Sequence, residues 1–194
     1  PDWSRGLGDV YKRQVVAYGQ IIPKSILESC KLGFINIHAS LLPKYRGAAP
    51  IQRSLINLEK FTGISFMKLN NVLDSGPIFN QYKIPINKND NSETLSKKLS
   101  ELSAEKITQN IELIFSNKAT FVDQIHNEAS YAEKINKMEG KINWNESALN
   151  ILGKINGLFP NPGAWFEFKK ERYKIVKSEP VSYTHLTLPT IPGV

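Results

Sequence analysis

The chain has 194 residues, room for one ordinary domain or for one domain and part of a second. Its hydrophobic content of 41% and charged content of 22% are those of a soluble globular protein, and no run approaches the roughly 20 apolar residues a membrane-spanning helix needs. The single cysteine, Cys30, excludes an intrachain disulfide, and a formal charge of +7 points to a polyanionic partner without naming it.

Residues 1–14 are polar and aperiodic, and 181–194 string together Thr, Pro and Gly; both read as non-native tails and are set aside. They carry three basic and two acidic residues, so the basic balance belongs to the stretch between them. No apolar core follows a basic start, so no signal peptide is expected, and one unpaired cysteine suits a reducing cytosol. Val15 to Gly19 is a short apolar run closed by glycine, the pattern of a buried strand. A helix is expected after Pro23, broken at Gly33, and Phe34 to His38 reads as a second buried strand. Strand, helix and strand in this spacing predict a βαβ unit and a parallel sheet. A loop from Ala39 to Ala49 follows, then a helix with Pro50 as its first residue.

Thr62 to Leu69 and Pro77 to Ile86 are strand-like, separated by a turn-like stretch from Asn70 to Gly76. Ser92 opens a helical pattern through Leu95, Leu99 and Leu102, and a second pattern runs from Ile107 to Phe115. Periodicity then fades over residues 119–143, which read as a linker. Ser147 to Leu158 is a helix, stopped by Pro160-Asn161-Pro162-Gly163. Ala164 to Phe168 and Arg172 to Lys177 form a hairpin across Lys169-Lys170-Glu171. The change from α/β to β patterning sets a second domain at 144–180, after a first domain at 15–118. Lys154, Lys169, Lys170, Arg172, Lys174 and Lys177 cluster on it, as a phosphate-contacting face would require; a solvated hairpin face is the plainer alternative.

Three places could carry chemistry. Asn36 and His38 lie two apart at the end of a strand, hence on one face, where open α/β sheets bind ligands. Asn donates a hydrogen bond and His exchanges a proton near neutral pH. On spacing alone, the plainer reading is a satisfied polar pair. Asp74, within Leu73-Asp74-Ser75-Gly76, by itself reads as a turn. His126 falls in the linker and His185 in a tail, which leaves His38 as the catalytic candidate among three histidines.

The uninterrupted run Asn36-Ile37-His38-Ala39-Ser40-Leu41-Leu42-Pro43-Lys44-Tyr45-Arg46-Gly47-Ala48-Ala49-Pro50-Ile51-Gln52 resembles the signature of the folate-dependent formyltransferases, and Leu73 to Gly76 is similar to their second motif. Ser130 to Ile135, Ile142-Asn143-Trp144 and Phe159 to Ala164 resemble the methionyl-tRNA branch in particular. The resemblance, from Val15 to about Pro180, implies the later part of a Rossmann-like catalytic domain followed by the start of an OB-like β-barrel. It implies formyl transfer from 10-formyltetrahydrofolate, without a metal, to the methionine α-amine of initiator methionyl-tRNA in the cytoplasm. Asn36 and His38 would supply donors to the oxyanion, Asp74 would orient His38 and help move a proton, and Ser40, Leu41, Leu42 and Pro43 would shape the folate pocket. No protein or membrane partner is implied. Alternatives are a sugar or purine-precursor amine as acceptor, or a non-catalytic RNA-binding remnant. The resemblance also implies missing elements at both ends, so the polypeptide alone is expected to be inactive or poorly folded.

Overall fold

A computed structural model describes residues 22–29 and 33–180. The expected strand at Val15 to Gly19, Cys30 and both tails lie outside the described residues. After a single turn of helix, α1 (Lys24–Leu27), come β1 (Ile35–His38), α2 (Pro50–Ile56), β2 (Phe61–Lys68) and β3 (Ile78–Pro85). The long α3 (Ser92–Phe115), then α4 (Ala148–Leu158), β4 (Ala164–Phe168) and β5 (Glu171–Ile175) complete the order. Among the described residues no helix is long and apolar enough to cross a membrane.

Strands β1, β2 and β3 form one sheet in that order, and both pairings are antiparallel. The expectation of a parallel sheet is therefore corrected for these strands; the pairing on which it rested needs Val15 to Gly19. The reason lies in the connection. Residues 39–49 fold over the carboxyl end of β1 and α2 has only seven residues, so the chain enters β2 from the end at which it left β1. A parallel return needs a crossover that travels the length of the strand.

Register decides which side chains share a face. Asn36 opposes Met67 and His38 opposes Ser65, whereas Ile35 and Ile37 point the other way. On that other face Ile64 and Phe66 of β2 join Leu55 of α2 and Leu95 and Leu99 of α3 in the main core, with Ile35 and Ile37 packed against them. Central β2 is buried on both faces, which is why it reads as a continuous apolar and small-residue run.

Helix α3 begins at a reciprocal cap: Thr94 N–H donates to Asn91 Oδ1 and Asn91 N–H to Thr94 Oγ1, each at 2.9 Å. It is one helix of 24 residues, not two. Nothing in Ser103-Ala104-Glu105-Lys106 breaks a helix; what changes is the chemistry of the inward stripe. After Leu102 its next positions are Lys106 and Asn110, while Ile107 and Ile111 turn outward at 38% and 37% exposure. Asn110 is fully buried and satisfied: it donates to Tyr82 Oη at 2.9 Å and to the Lys106 carbonyl at 2.7 Å, and accepts from Asn80 at 2.7 Å.

Helix α4, capped by the Ser147 hydroxyl, lies directly on α2. Gly157 makes this possible, since a Cβ there would sit 2.6 Å from Ile56 Cγ1 and 2.8 Å from the Gln52 carbonyl oxygen. Alanine would gain up to about 1 kcal/mol of helix propensity, but overpacking against a backbone atom costs about 1–3 kcal/mol. Gly157→Ala is therefore expected to lower the thermal midpoint of the full-length protein; an unchanged midpoint would mean that α2 and α4 shift enough to take the methyl group at no net cost. Ile142, Ile155 and Ala164 form a smaller core beneath the hairpin of β4 and β5. The hairpin turn is Lys169-Lys170 alone, and both residues have positive φ, 50° and 68°. Mirror-image turns of this kind match the strands' twist even without glycine.

The stretch 119–143 is not a loose tether. Val122 bridges the Ile78 end of β3, Tyr131 bridges Arg46, and Ala132 N–H donates to the Arg46 carbonyl at 2.6 Å. Arg53 of α2 holds Glu139 through two hydrogen bonds, at 2.6 and 3.2 Å, and these keep the Glu139 carboxyl below its ordinary range.

Candidate active site

The face of the sheet opposite the main core carries Asn36, His38, Ser65 and Met67, and three segments close over it: 39–49, 70–76 and 122–132. His38 is 6% exposed. Its Nε2 lies 2.8 Å from the Tyr45 carbonyl oxygen. A carbonyl only accepts, so Nε2 carries a proton and the neutral ring presents its lone pair at Nδ1. Nδ1 faces Asp74 Oδ2 at 3.6 Å. That carboxylate oxygen is itself held by the Gly47 N–H at 2.8 Å. Asn36 is half-buried beside them, and its carboxamide has no hydrogen-bond partner among the described residues.

Local geometry explains how an isolated turn motif reaches the strand. Asn70 Oδ1 accepts from the Val72 N–H at 3.0 Å and the Ser75 hydroxyl at 3.1 Å, which folds 70–76 into a compact bend. Asp74 sits in it at φ 46°, a left-handed conformation that Asp and Asn tolerate better than most residues. Gly47 has φ 117°, and a Cβ there would meet the Ala132 carbonyl oxygen at 2.8 Å, so a side chain at this position would push the Asp74-binding N–H away.

The loop at 40–43 is held from beneath. The Ser65 hydroxyl donates to the Ser40 carbonyl at 2.6 Å and accepts from the Leu42 N–H at 3.0 Å. Gln81 of β3 donates to the Leu42 carbonyl and to Ser65 Oγ at 2.9 and 2.8 Å. Ser40 and Leu42 are buried, and the Ser40 hydroxyl donates to the Lys44 carbonyl at 2.6 Å, so their side chains serve the loop's shape. Leu41 and Pro43 are partly exposed.

Several residues around this site have roles that the sequence does not announce. Tyr45, at φ 62°, turns its carbonyl to His38; its N–H is held by Ser130 Oγ at 2.9 Å and its hydroxyl donates to Glu59 at 2.8 Å. Burial, and less so Glu59, pushes the Tyr45 phenol up to about 12. Arg46 is 2% exposed, and its side-chain partners among the described residues are Gln124 Oε1, at 3.0 Å from Nε and 2.6 Å from Nη2, and His126 Nδ1, at 3.2 Å from Nη2. Ser65, Gln81 and Gln124 become legible only once the chain is folded, because each acts on a partner distant in sequence.

A hydrogen-bonded histidine, a carboxylate and a carboxamide on a sheet face suit acyl transfer to a nucleophile: one group moves a proton and another meets developing negative charge. The comparisons agree with that chemical class. The formyl transferase family model matches residues 13–111, and that of the formyl transferase C-terminal domain matches 134–193. The chain belongs to the formyl transferase family.

Among curated proteins it is 63% identical over 165 residues to the methionyl-tRNA formyltransferase of Pelagibacter ubique, covering 85% of this chain and 53% of that one. The chain thus spans about half the length of the curated relatives it matches. Among solved structures, an N-formyltransferase from Helicobacter canadensis in complex with folinic acid and dTDP-3-aminofucose superposes with a TM-score of 0.73 at 26% identity, over 88% of this chain and 64% of that one. The methionyl-tRNA formyltransferase of Clostridium thermocellum shares the fold, with a TM-score of 0.69 at 22% identity, over 84% of this chain and 70% of that one.

Proposed function

We propose that the full-length protein transfers the formyl group of 10-formyltetrahydrofolate to the α-amine of methionine on initiator tRNA, and that Asn36, His38 and Asp74 carry the reaction. The observation that carries this reading is the convergence of the three side chains on one sheet face within a chain 63% identical to a methionyl-tRNA formyltransferase. The neutral amine attacks the formyl carbon, a C–N bond forms, and the carbonyl electron pair moves to oxygen. Asn36 donates to that oxyanion. His38 acts through Nδ1, because its Nε2 proton is committed to Tyr45. It takes the proton the amine loses; the resulting imidazolium, beside Asp74, stabilises the oxyanion and hands a proton to the departing folate nitrogen. The loop at 40–43 shapes the folate pocket through its backbone course.

In this reading 15–118 is catalytic, 119–143 connects, and 144–180 opens a tRNA-binding domain. The basic cluster is narrower than its count. Lys154 pairs with Glu146 at 3.2 Å, Lys177 with Glu179 at 3.7 Å, and Arg172 stacks over Trp165 at 3.8 Å. Lys169 lies over the Phe168 ring at 5.4 Å. Among the described residues Lys170 and Lys174 have neither a carboxylate in ion-pair range nor a ring beneath them, and they are the proposed phosphate contacts. The cytosol, where charged initiator tRNA is made and used, is the compartment this function requires.

The test supplies the full-length protein with 10-formyltetrahydrofolate and, in parallel, initiator methionyl-tRNA, a nucleotide-linked amino sugar and a purine-precursor amine. Transfer to the tRNA alone is expected, and transfer only to one of the other amines would overturn the assignment. In the same protein Lys170→Glu with Lys174→Glu should weaken tRNA binding and flatten its salt dependence while folate binding holds. An unchanged salt slope would remove this face from the tRNA surface.

A further inference from the structure

Gln124 lies in the connecting stretch, yet it is 6% exposed and every polar atom of its side chain is used at the site. Its Nε2 donates to the Asp74 carbonyl at 2.9 Å and to the Gly76 carbonyl at 2.7 Å, spanning the bend that holds Asp74 in its left-handed conformation. Its Oε1 accepts both hydrogen bonds from the Arg46 guanidinium. The residues flanking Arg46 hold the pair: the Tyr45 carbonyl fixes the His38 ring and the Gly47 N–H fixes the Asp74 carboxylate. One carboxamide therefore joins the backbone that carries Asp74 to the loop that holds His38.

From this geometry we propose that Gln124 is a positioning residue for the Asp74–His38 pair, so that the segment leading to the second domain sets the separation of the two reacting side chains. The inference rests on the formyl-transfer reading for its kinetic consequence but not for its structural one. Only an amide satisfies all four contacts, because the two carbonyls require donors and the guanidinium requires an acceptor. Glutamate would keep the bond to Arg46, and add charge to it, but would turn a carboxylate oxygen on two carbonyls. The bend would open, and Asp74 with it. The titratable groups around the contact are Arg46, His126, Asp74 and His38, and Gln124→Glu adds one acid to them.

The experiment compares wild type, Gln124→Glu and Gln124→Asn in the full-length protein by thermal melting, by kcat and KM, and by NMR titration of the His38 ring nitrogens. Displacing a catalytic group by a fraction of an ångström to 1 Å costs on the order of 10- to 100-fold in rate. Gln124→Glu is therefore expected to fold, to lose that much kcat with an unchanged KM for folate, and to shift the His38 titration. Gln124→Asn, too short to span both sides and adding no charge, should also shift the titration, through the displaced Asp74 alone. A folded Gln124→Glu protein with wild-type kcat and an unmoved His38 titration overturns the proposal. So does a rate loss that only tracks the folded fraction. If wild type transfers formyl to no acceptor, the formyl-transfer reading fails, and the NMR titration still decides whether Gln124 sets the pair.

Discussion

Replacing His38 by alanine in the full-length protein is expected to cut formyl transfer by about 10² to 10⁴, with little change in folate affinity. The size of the effect follows from the ring's position. Nε2 is tied to the Tyr45 carbonyl at 2.8 Å and Nδ1 is turned toward Asp74, so the ring has one free nitrogen, and it points at the carboxylate. Alanine removes the group proposed to take the amine proton and leaves the strand intact, since His38 contributes no side chain to the main core. Single-turnover kinetics on the folded variant check this. Near-normal turnover would exclude His38 from the proton path and leave the reaction to Asn36 and Asp74.

Asp74→Asn separates a catalytic carboxylate from a turn former more sharply than any other single change. Asparagine tolerates the φ of 46° found at this position, and its side-chain oxygen still accepts from the Gly47 N–H. The fold of the bend should survive, and only the negative charge facing His38 Nδ1 is lost. Turnover is expected to fall by about 10² or more, because the imidazolium proposed to form during transfer would lose its counter-charge. A folded Asp74→Asn protein with wild-type turnover would return Asp74 to the role of a turn residue. The variant's melting temperature, measured alongside, shows whether the bend is intact.

Much of this architecture was readable in advance where local chemistry decides. Pro50 begins α2 as its fixed φ suggests, Ser147 caps α4, and the hairpin falls at Lys169-Lys170. The relation of Asn36 to His38 followed from strand period alone, and the approach of Asp74 to them from family resemblance rather than from its turn-like surroundings. What stayed hidden is non-local. The antiparallel sense of β1 and β2 depends on how 39–49 folds over the strand end, which no pattern in that loop announces. The continuity of α3 through Lys106 and Asn110 was masked because a buried asparagine satisfied by Asn80 and Tyr82 is indistinguishable, in sequence, from a solvent-facing one. Ser65, Gln81 and Gln124 were silent for the same reason. Each is an ordinary polar residue until folding brings its partners, 16 to 78 positions away, within hydrogen-bond range.

The anchoring of 119–143 also changes what the connection is as a polymer. A flexible chain of about 25 residues would let its ends wander over roughly 25–30 Å, and whatever it joined would meet at an effective concentration set by that excursion. Here the contour is fastened at Val122, Gln124, Ser130, Ala132 and Glu139, so almost no slack is left between the Asp74 bend and α4. Lengthening the segment by inserting residues between these anchor points would not extend a leash. Between Gln124 and Ala132 it would act on residues whose hydrogen bonds also hold the site, so spacer insertions there are expected to read out as active-site mutations, whereas the same insertion at the Lys169-Lys170 turn would not.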